Sequence, residues 1–317
     1  MPKVTVLLPA FNADNTLAKA IQSIVDQSYI NWELVVINDG SKDNTEAVIN
    51  SFNDDRILYL KNDKNRGLIY TLNRGISVAR GEYIARMDAD DISLPERLSK
   101  QVVYMDTHPD VIVCGTQIEY FGTKSTRYHK IKFPLANDDL KDMLVTSTCF
   151  AHPTVMIRKS VFEHTGIQYD IKYKNAEDYS LWIDLAPYGN FANLNEKLLL
   201  YRVSDTQISQ PFNPQTINSV IACKKKSLRK YLDEPIIESL FNNPIDIPVL
   251  KKVKRQTSNK KIWEGCYLSL DNYNLSAFLY YVFSLDIFKL GVVTFFRFLK
   301  RFILGKAPIF YNTTTII

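Results

Sequence analysis

At 317 residues the chain exceeds one average domain, so one large domain with an appendage is expected. Hydrophobic residues make up 46% and charged residues 23%, the proportions of an ordinary globular protein with ample material for a core. The net charge of +5 is mild but uneven: Lys224-Lys225-Lys226 with Arg229-Lys230, Lys251-Lys252 with Lys254-Arg255, and Arg297 with Lys300-Arg301 all fall in the last third, which points that part toward an anionic partner such as a membrane surface or nucleic acid. The start Met1-Pro2-Lys3-Val4 has no apolar h-region or cleavage site and does not read as a signal peptide. The longest uncharged apolar stretch, 273–285, stops at Asp286, short of the ~20 apolar residues that a membrane span requires. Cys114, Cys149, Cys223 and Cys266 are far apart, show no zinc spacing, and read as reduced, buried thiols of a cytosolic protein.

The first half alternates strand and helix. Val4-Thr5-Val6-Leu7-Leu8 is an apolar run that predicts the first strand; Leu17, Ala20, Ile21, Ile24 and Val25 follow at helical spacing behind Asp14-Asn15, a candidate N-cap. Leu34-Val35-Val36-Ile37 predicts a second strand, followed by a helix over 44–52. Ile57-Leu58-Tyr59-Leu60 predicts a third, followed by a helix over 68–79. The fourth strand, Tyr83-Ile84-Ala85-Arg86-Met87, runs into Asp88-Ala89-Asp90-Asp91. A helix with Leu94, Leu98, Gln101, Val102 and Met105 follows, then a fifth strand at Val111-Ile112-Val113. Strands alternating with helices predict right-handed crossovers and a mostly parallel α/β sheet with helices on both faces. From 115 to 205 strand-like pieces (116–121, 154–157, 198–203) mix with helical ones (138–144, 177–185), as expected of a substrate-binding half added to a nucleotide-binding half. The turn Gln210-Pro211-Phe212-Asn213-Pro214 marks a boundary, beyond which the pattern is helical. The expected organisation is thus a domain over 1–210, with halves 1–115 and 116–210, and a helical region over 211–317.

Three chemically loaded loops sit at predicted strand C-termini, where open α/β sheets bind ligands. They are Pro9-Ala10-Phe11-Asn12, Asn38-Asp39-Gly40-Ser41, and the acidic cluster. Asn65-Arg66-Gly67 stands just before a helix whose N-terminus can receive phosphate. One such loop means little, because Pro, Asn, Asp and Gly are the ordinary turn residues; several at one end of a sheet build a pocket. Three carboxylates in four residues repel one another, and hard cations such as Mg²⁺ and Mn²⁺ take carboxylate oxygens together with substrate phosphates. Asp88-Ala89-Asp90-Asp91 is therefore a candidate metal–diphosphate site, with Asp91 also placed to cap the following helix. No G-x-G-x-x-G follows the first strand, which argues against a dehydrogenase.

The ordered set Pro-Ala-Phe-Asn, Asn-Asp-Gly-Ser, Asn-Arg-Gly-Leu, Leu-Asn-Arg-Gly-Ile, Ala-Arg-Met-Asp-Ala-Asp-Asp and Glu-Asp-Tyr, spread over residues 3–205, resembles the family 2 glycosyltransferases with the GT-A (Rossmann-like) fold. These are inverting enzymes that use nucleotide-diphospho-sugars. The resemblance implies that Pro9, Ala10, Phe11 and Asn12 cradle the nucleobase, that Asp39 accepts a hydrogen bond from a uracil ring, and that Asn65, Gly67 and Arg74 lie near the nucleoside. Relatives usually carry Asp where this chain has Asn38. Asp88 and Asp90 match the two acids of an Asp-x-Asp motif: Asp88 at ribose and metal, Asp90 at a Mn²⁺ or Mg²⁺ that neutralises the departing UDP. Asp178, with Glu177 beside it, matches the general base that activates an acceptor hydroxyl. Read without the resemblance, those two acids complement a helix dipole.

Four other residues stay open on sequence alone: Arg86 as a partner of phosphate or of an Asp, His152 as a lining of the sugar pocket, Trp182 as sugar platform or core, and Arg202 as a diphosphate contact. Val203-Ser204-Asp205 stands where relatives often place a His. Phe295-Phe296-Arg297-Phe298-Leu299-Lys300-Arg301-Phe302 interleaves aromatics with cations, which suits either a helix in a membrane interface or a packed helix with a basic edge. The expected activity is transfer of a sugar from a UDP-sugar to a saccharide or lipid-linked acceptor in polysaccharide synthesis. The chain is expected to be cytoplasmic and peripheral at the inner face of the membrane, without a nucleic-acid partner. The alternatives are a sugar nucleotidyltransferase, disfavoured by the absence of a Gly-rich basic loop after the first strand, and a non-catalytic nucleotide-sugar-binding protein.

Overall fold

The structure, a computed structural model, describes residues 1–122, 132–203, 214–242 and 247–257. An eight-stranded sheet forms its centre: β1 Val4–Ala10, β2 Trp32–Asn38, β3 Ile57–Lys61, β4 Tyr83–Arg86, β5 Ile92–Ser93, β6 Val111–Phe121, β7 Met156–Arg158 and β8 Asn190–Arg202, in the order β3-β2-β1-β4-β7-β6-β8-β5. The pairs β1–β2, β2–β3, β1–β4 and β6–β8 are parallel. The pairs β4–β7, β6–β7 and β5–β8 are antiparallel. β1 to β4 pair with one another in parallel, as the βαβ rhythm demands, and the antiparallel pairings involve β5 and β7.

Both faces of the sheet are covered, which is why its strands read as unbroken Val/Ile/Leu runs. Along β1, Val4, Val6 and Leu8 point to one face with Leu17, Ala20, Ile21 and Ile24 of helix α1 (Leu17–Val25) and Leu98, Val102 and Met105 of α4 (Arg97–Thr107). Leu7 points to the other, where Ile69 and Leu72 of α3 (Leu68–Val78) share a core with Leu181, Trp182 and Leu185 of α7 (Glu177–Leu185). Helices α2 (Thr45–Asn50), α5 (Asn137–Met143) and α6 (Ser160–Thr165) complete this part, followed by α8 (Pro214–Leu228), α9 (Glu234–Asn242) and α10 (Ile247–Gln256).

Several expectations change on folding. Helix α1 is preceded by Thr16 as N-cap residue and carries no side-chain cap from Asp14 or Asn15. The pieces expected at 111–113 and 116–121 are one strand, β6, which runs through the division at residue 115. β8 begins at Asn190, not at 198, and α6 and the two-residue β5 carry too little pattern to be foreseen. Cys114, Cys149 and Cys223 are free and buried, as expected, while Cys266 lies outside the described residues. No helix among the described residues is long and apolar enough to cross a membrane, and the basic-aromatic stretch at 295–302 lies outside them.

Candidate active site

β1 is flanked by β2 on one side and β4 on the other, so the direction of winding reverses there and a crevice opens at the strand C-termini. Each of the three loaded loops ends one of these strands. Pro9 and Ala10 are the last residues of β1; Phe11 is 46% exposed and Asn12 takes a left-handed φ of 47°. That turn is locked to the loop after β2: the Asn12 amide donates to Ser41 Oγ (3.0 Å), and Asn12 Oδ1 accepts from the Lys42 amide (2.9 Å). Asn38 Oδ1 accepts from the Ser41 amide (2.9 Å), so Asn in place of the usual Asp still closes this turn.

Asp39 organises the next loop. It is buried, and its carboxylate accepts from Asn62 Nδ2 (2.6 Å), the Arg66 amide (2.9 Å) and the Gly67 amide (2.8 Å). An ionised carboxylate offers about four lone-pair sites, so acceptor capacity remains for a base N–H. Gly40, at φ +71°, lies so close to this loop that an added Cβ would meet the Lys64 carbonyl carbon at 2.4 Å. Gly67 (φ +88°) faces the opposite situation, with open space where its Cβ would be, just before α3. The Arg74 guanidinium donates to the Lys61 carbonyl (2.8 Å) and to Asn62 Oδ1 (2.5 Å). It thereby steadies Asn62, which in turn holds Asp39.

Asp88, Asp90 and Asp91 gather at the end of β4, with candidate ligand oxygens all within 4.8 Å of one another. Asp88 forms an ion pair with the Nη1 of buried Arg86. Burial, and then the Asp88 charge, push Asp90 up to about 6. Burial with both neighbouring carboxylates pushes Asp91 well above the ordinary range, and its Oδ2 has no hydrogen-bond partner. Crowded, desolvated carboxylates with an orphaned oxygen are what a hard divalent cation relieves, so the donor set fits Mn²⁺ or Mg²⁺. Asp91 does not cap the next helix; its Oδ1 accepts from the Arg202 amide (2.8 Å). Arg202 Nε donates to the Asp90 carbonyl (2.7 Å), and its guanidinium lies 4.5 Å from the Phe121 ring centroid. Beneath the cluster, fully buried Arg97 donates through Nη2 to the Arg86 carbonyl (2.7 Å) and pins the end of β4.

Glu177 and Asp178 open α7 and are both buried. Thr148 Oγ1 donates to Asp178 Oδ2 (3.2 Å), and the backbone N–H of Tyr179 also serves that carboxylate. Burial is the main force raising Asp178. Burial and then the Asp178 charge push Glu177 up to about 7 from 4.5, while the backbone N–H groups of Glu177 and Asn175 hold its carboxylate. The folded chain therefore keeps a proton on Glu177 that the unfolded chain has lost between about pH 4.5 and 7, and stability should fall as pH rises through that window. Thermal melts from about pH 5 to 7.5 should show this decline. Asp90, Asp91 and Asp178 are raised as well and add to the decline. Glu177→Gln, which removes one of these titrations, should make it shallower near pH 7, and a variant with the wild-type slope would mean that the proton resides elsewhere.

The Arg86 charge, paired with Asp88, also acts on Glu177, Asp178 and His152. His152 is driven well below its ordinary value by burial, and then by Arg86; its Nε2 is 2.8 Å from Tyr169 Oη. Trp182 is fully buried and packs edge-on to Phe150 with centroids 5.3 Å apart, so it is core and not a sugar platform. Asn62, Thr148 and Arg97 were not singled out in the sequence. Each acts across a long sequence separation, and none stands in a motif.

Residues 5–166 match the Glycosyl transferase family 2 model. An "Uncharacterized glycosyltransferase" of Haemophilus influenzae is 30% identical over 301 residues, covering 91% of this chain and 93% of the relative. A second relative, from Escherichia coli, is named "UDP-Glc:alpha-D-GlcNAc-diphosphoundecaprenol beta-1,3-glucosyltransferase WfgD" and is 28% identical over 65% of this chain and 79% of its own length. Among solved structures, S. aureus TarS 1-349 in complex with UDP superposes with a TM-score of 0.59 at 17% identity, covering 96% of this chain and 92% of that one. The mixed sheet flanked by helices is the GT-A architecture, and with the family match extending across half the chain, this protein belongs to glycosyl transferase family 2 and is a glycosyltransferase.

Proposed function

We propose that this glycosyltransferase is inverting and metal-dependent and moves a sugar from a UDP-sugar to a hydroxyl of a saccharide or lipid-linked acceptor during polysaccharide synthesis. The observation that carries the reading is a carboxylate cluster at the end of β4 whose ion-pair partner, Arg86, also acts electrostatically on the two buried acids at the start of α7. Pro9, Ala10, Phe11 and Asn12 wall the nucleobase side, Asp39 accepts from the uracil N–H, and Asn65 and Gly67 flank the nucleoside. Arg74 serves that side through Asn62. Asp88, at the ribose and the metal, and Asp90 would hold Mn²⁺ or Mg²⁺, which supplies charge neutralisation for the departing diphosphate.

Asp178 acts as general base. Thr148 donates to Oδ2 and orients the carboxylate that takes the proton from the acceptor hydroxyl. As that oxygen forms its bond to the anomeric carbon, the bond on the opposite face to the UDP oxygen breaks, and UDP leaves with the bonding electrons; configuration inverts. The transition state expected of such a step is oxocarbenium-like. A lipid-linked acceptor, as in the name of the Escherichia coli relative, would bring the chain to the inner membrane face without spanning it.

Calorimetric titration with UDP, with and without Mn²⁺, tests this. Binding that Mn²⁺ strengthens is expected. Absence of binding in both conditions would sink the UDP assignment and leave a different nucleotide or an inactive site.

A further inference from the structure

The family match ends at residue 166, before the acids of α7, and nothing in it assigns a role to the helices that follow β8. Yet α8 lies along α7 and is tied to it at successive turns. Asn175, immediately before α7 and left-handed at φ +68°, donates through Nδ2 to Thr216 Oγ1 (3.1 Å). Cys223 Sγ contacts the carbonyl of Ala176 at 3.6 Å. Lys226 Nζ reaches Ser180 Oγ (2.9 Å) and Asp184 Oδ2 (2.6 Å), and lies 4.7 Å from the Tyr173 ring centroid. Ala176, Ser180 and Asp184 are four residues apart and form one stripe along α7, so a single neighbouring helix can engage all three. The ties are largely out of solvent: Thr216 is 5% exposed and Cys223 fully buried. Val220 and Cys223 also belong to the same apolar core as Tyr179, Leu181 and Trp182.

The first tie matters most for chemistry. Asn175 and Ala176 set the path of the chain into Glu177 and Asp178, and the Asn175 backbone N–H also serves the Glu177 carboxylate. A left-handed non-glycine residue is strained and persists only where its surroundings hold it. The Thr216 hydroxyl is such a hold. We propose that α8 is part of the catalytic machinery's scaffold, with Thr216 and Lys226 as positioning residues: Thr216 holds the entry to α7 and Lys226 its body at Ser180 and Asp184, and together they aim its acids at the acceptor. The inference rests on the base assignment proposed above. Effective base catalysis depends on sub-ångström placement, so looseness at this joint should slow transfer without touching the nucleotide side.

Thr216→Val and Lys226→Met test this, with Thr216→Ser as the conservative control. The expected result is reduced amide-exchange protection at 176–180, a fall in kcat of about tenfold or more, and UDP affinity within about twofold of wild type. Thr216→Ser should restore both protection and kcat. Unchanged protection, or kcat and UDP affinity falling together with the melting temperature, would overturn the proposal. Asp178→Asn measured alongside separates the two readings. If that variant transfers sugar at the wild-type rate, the base assignment has failed; if it is inactive while Thr216→Val and Lys226→Met retain full kcat, the positioning role has failed.

Discussion

Asp178→Asn is expected to lower sugar transfer by about 10²–10⁴-fold, the range typical of a lost general base, with UDP affinity held within about twofold. The substitution keeps the shape of the side chain and its capacity to accept from Thr148 and the Tyr179 N–H, so α7 should stay in place. It removes the capacity to carry a proton away from the acceptor hydroxyl. The loops proposed to hold the nucleotide end β1, β2 and β4, and the hydrogen bonds that shape them come from residues outside α7, which is why donor binding should survive. Calorimetry with UDP and Mn²⁺, run beside a transfer assay, reads both quantities. A variant that loses UDP affinity as well would show that Asp178 serves the donor and not the acceptor.

Asp90→Ala should erase most of the Mn²⁺ enhancement of UDP binding and lower transfer accordingly, because the remaining oxygens lose a ligand that burial and Asp88 already hold under electrostatic stress. The sign of the metal-free control makes the test sharp. Removing one carboxylate from a crowded cluster relieves its repulsion of a diphosphate, so UDP binding without metal should stay level or improve slightly. If Asp90 only supported the loop, both affinities would drop together. Wild-type metal dependence in the variant would remove Asp90 from the metal site altogether.

The parts legible in the sequence are those where a motif and a period coincide. β1 to β4, α1, α3, α4 and α7 show strong patterns, and the loops that end β1, β2 and β4 carry the Pro, Asn, Asp and Gly residues of the crevice. β8 was cut short because its first half, Asn190 to Lys197, places Asn, Glu and Lys where a strand usually shows apolar alternation; its middle is exposed. β6 seemed divided because Gly115 interrupts its apolar run, but that glycine lets the Asn193 and Phe150 side chains approach closely, an added Cβ meeting them at 2.1 and 2.7 Å. Arg74 and Arg202 stand out in the sequence as cations near the site, yet each donates to a backbone carbonyl fixed by the fold. A backbone carbonyl has no signature in a sequence. The same holds for the Asn175–Thr216 and Ser180–Lys226 ties, which join segments that no motif connects.

The sheet order places β4 and β5 four steps apart, with β7, β6 and β8 between them, although only residues 87–91 separate the two strands in sequence. At ~4.8 Å per strand spacing a flat sheet would set their ends about 19 Å apart. Six peptide units reach at most about 20–22 Å when fully extended. That would leave no slack for the turn at Ala89-Asp90, so the sheet must curl to bring its far edge back. The acidic loop is thus strung between two anchors like a cord cut to length, and the curvature of the sheet sets the span it must bridge. One residue more or fewer in that cord would re-aim its carboxylates even with their identities intact; the length of the segment is as much a part of the site as its charges.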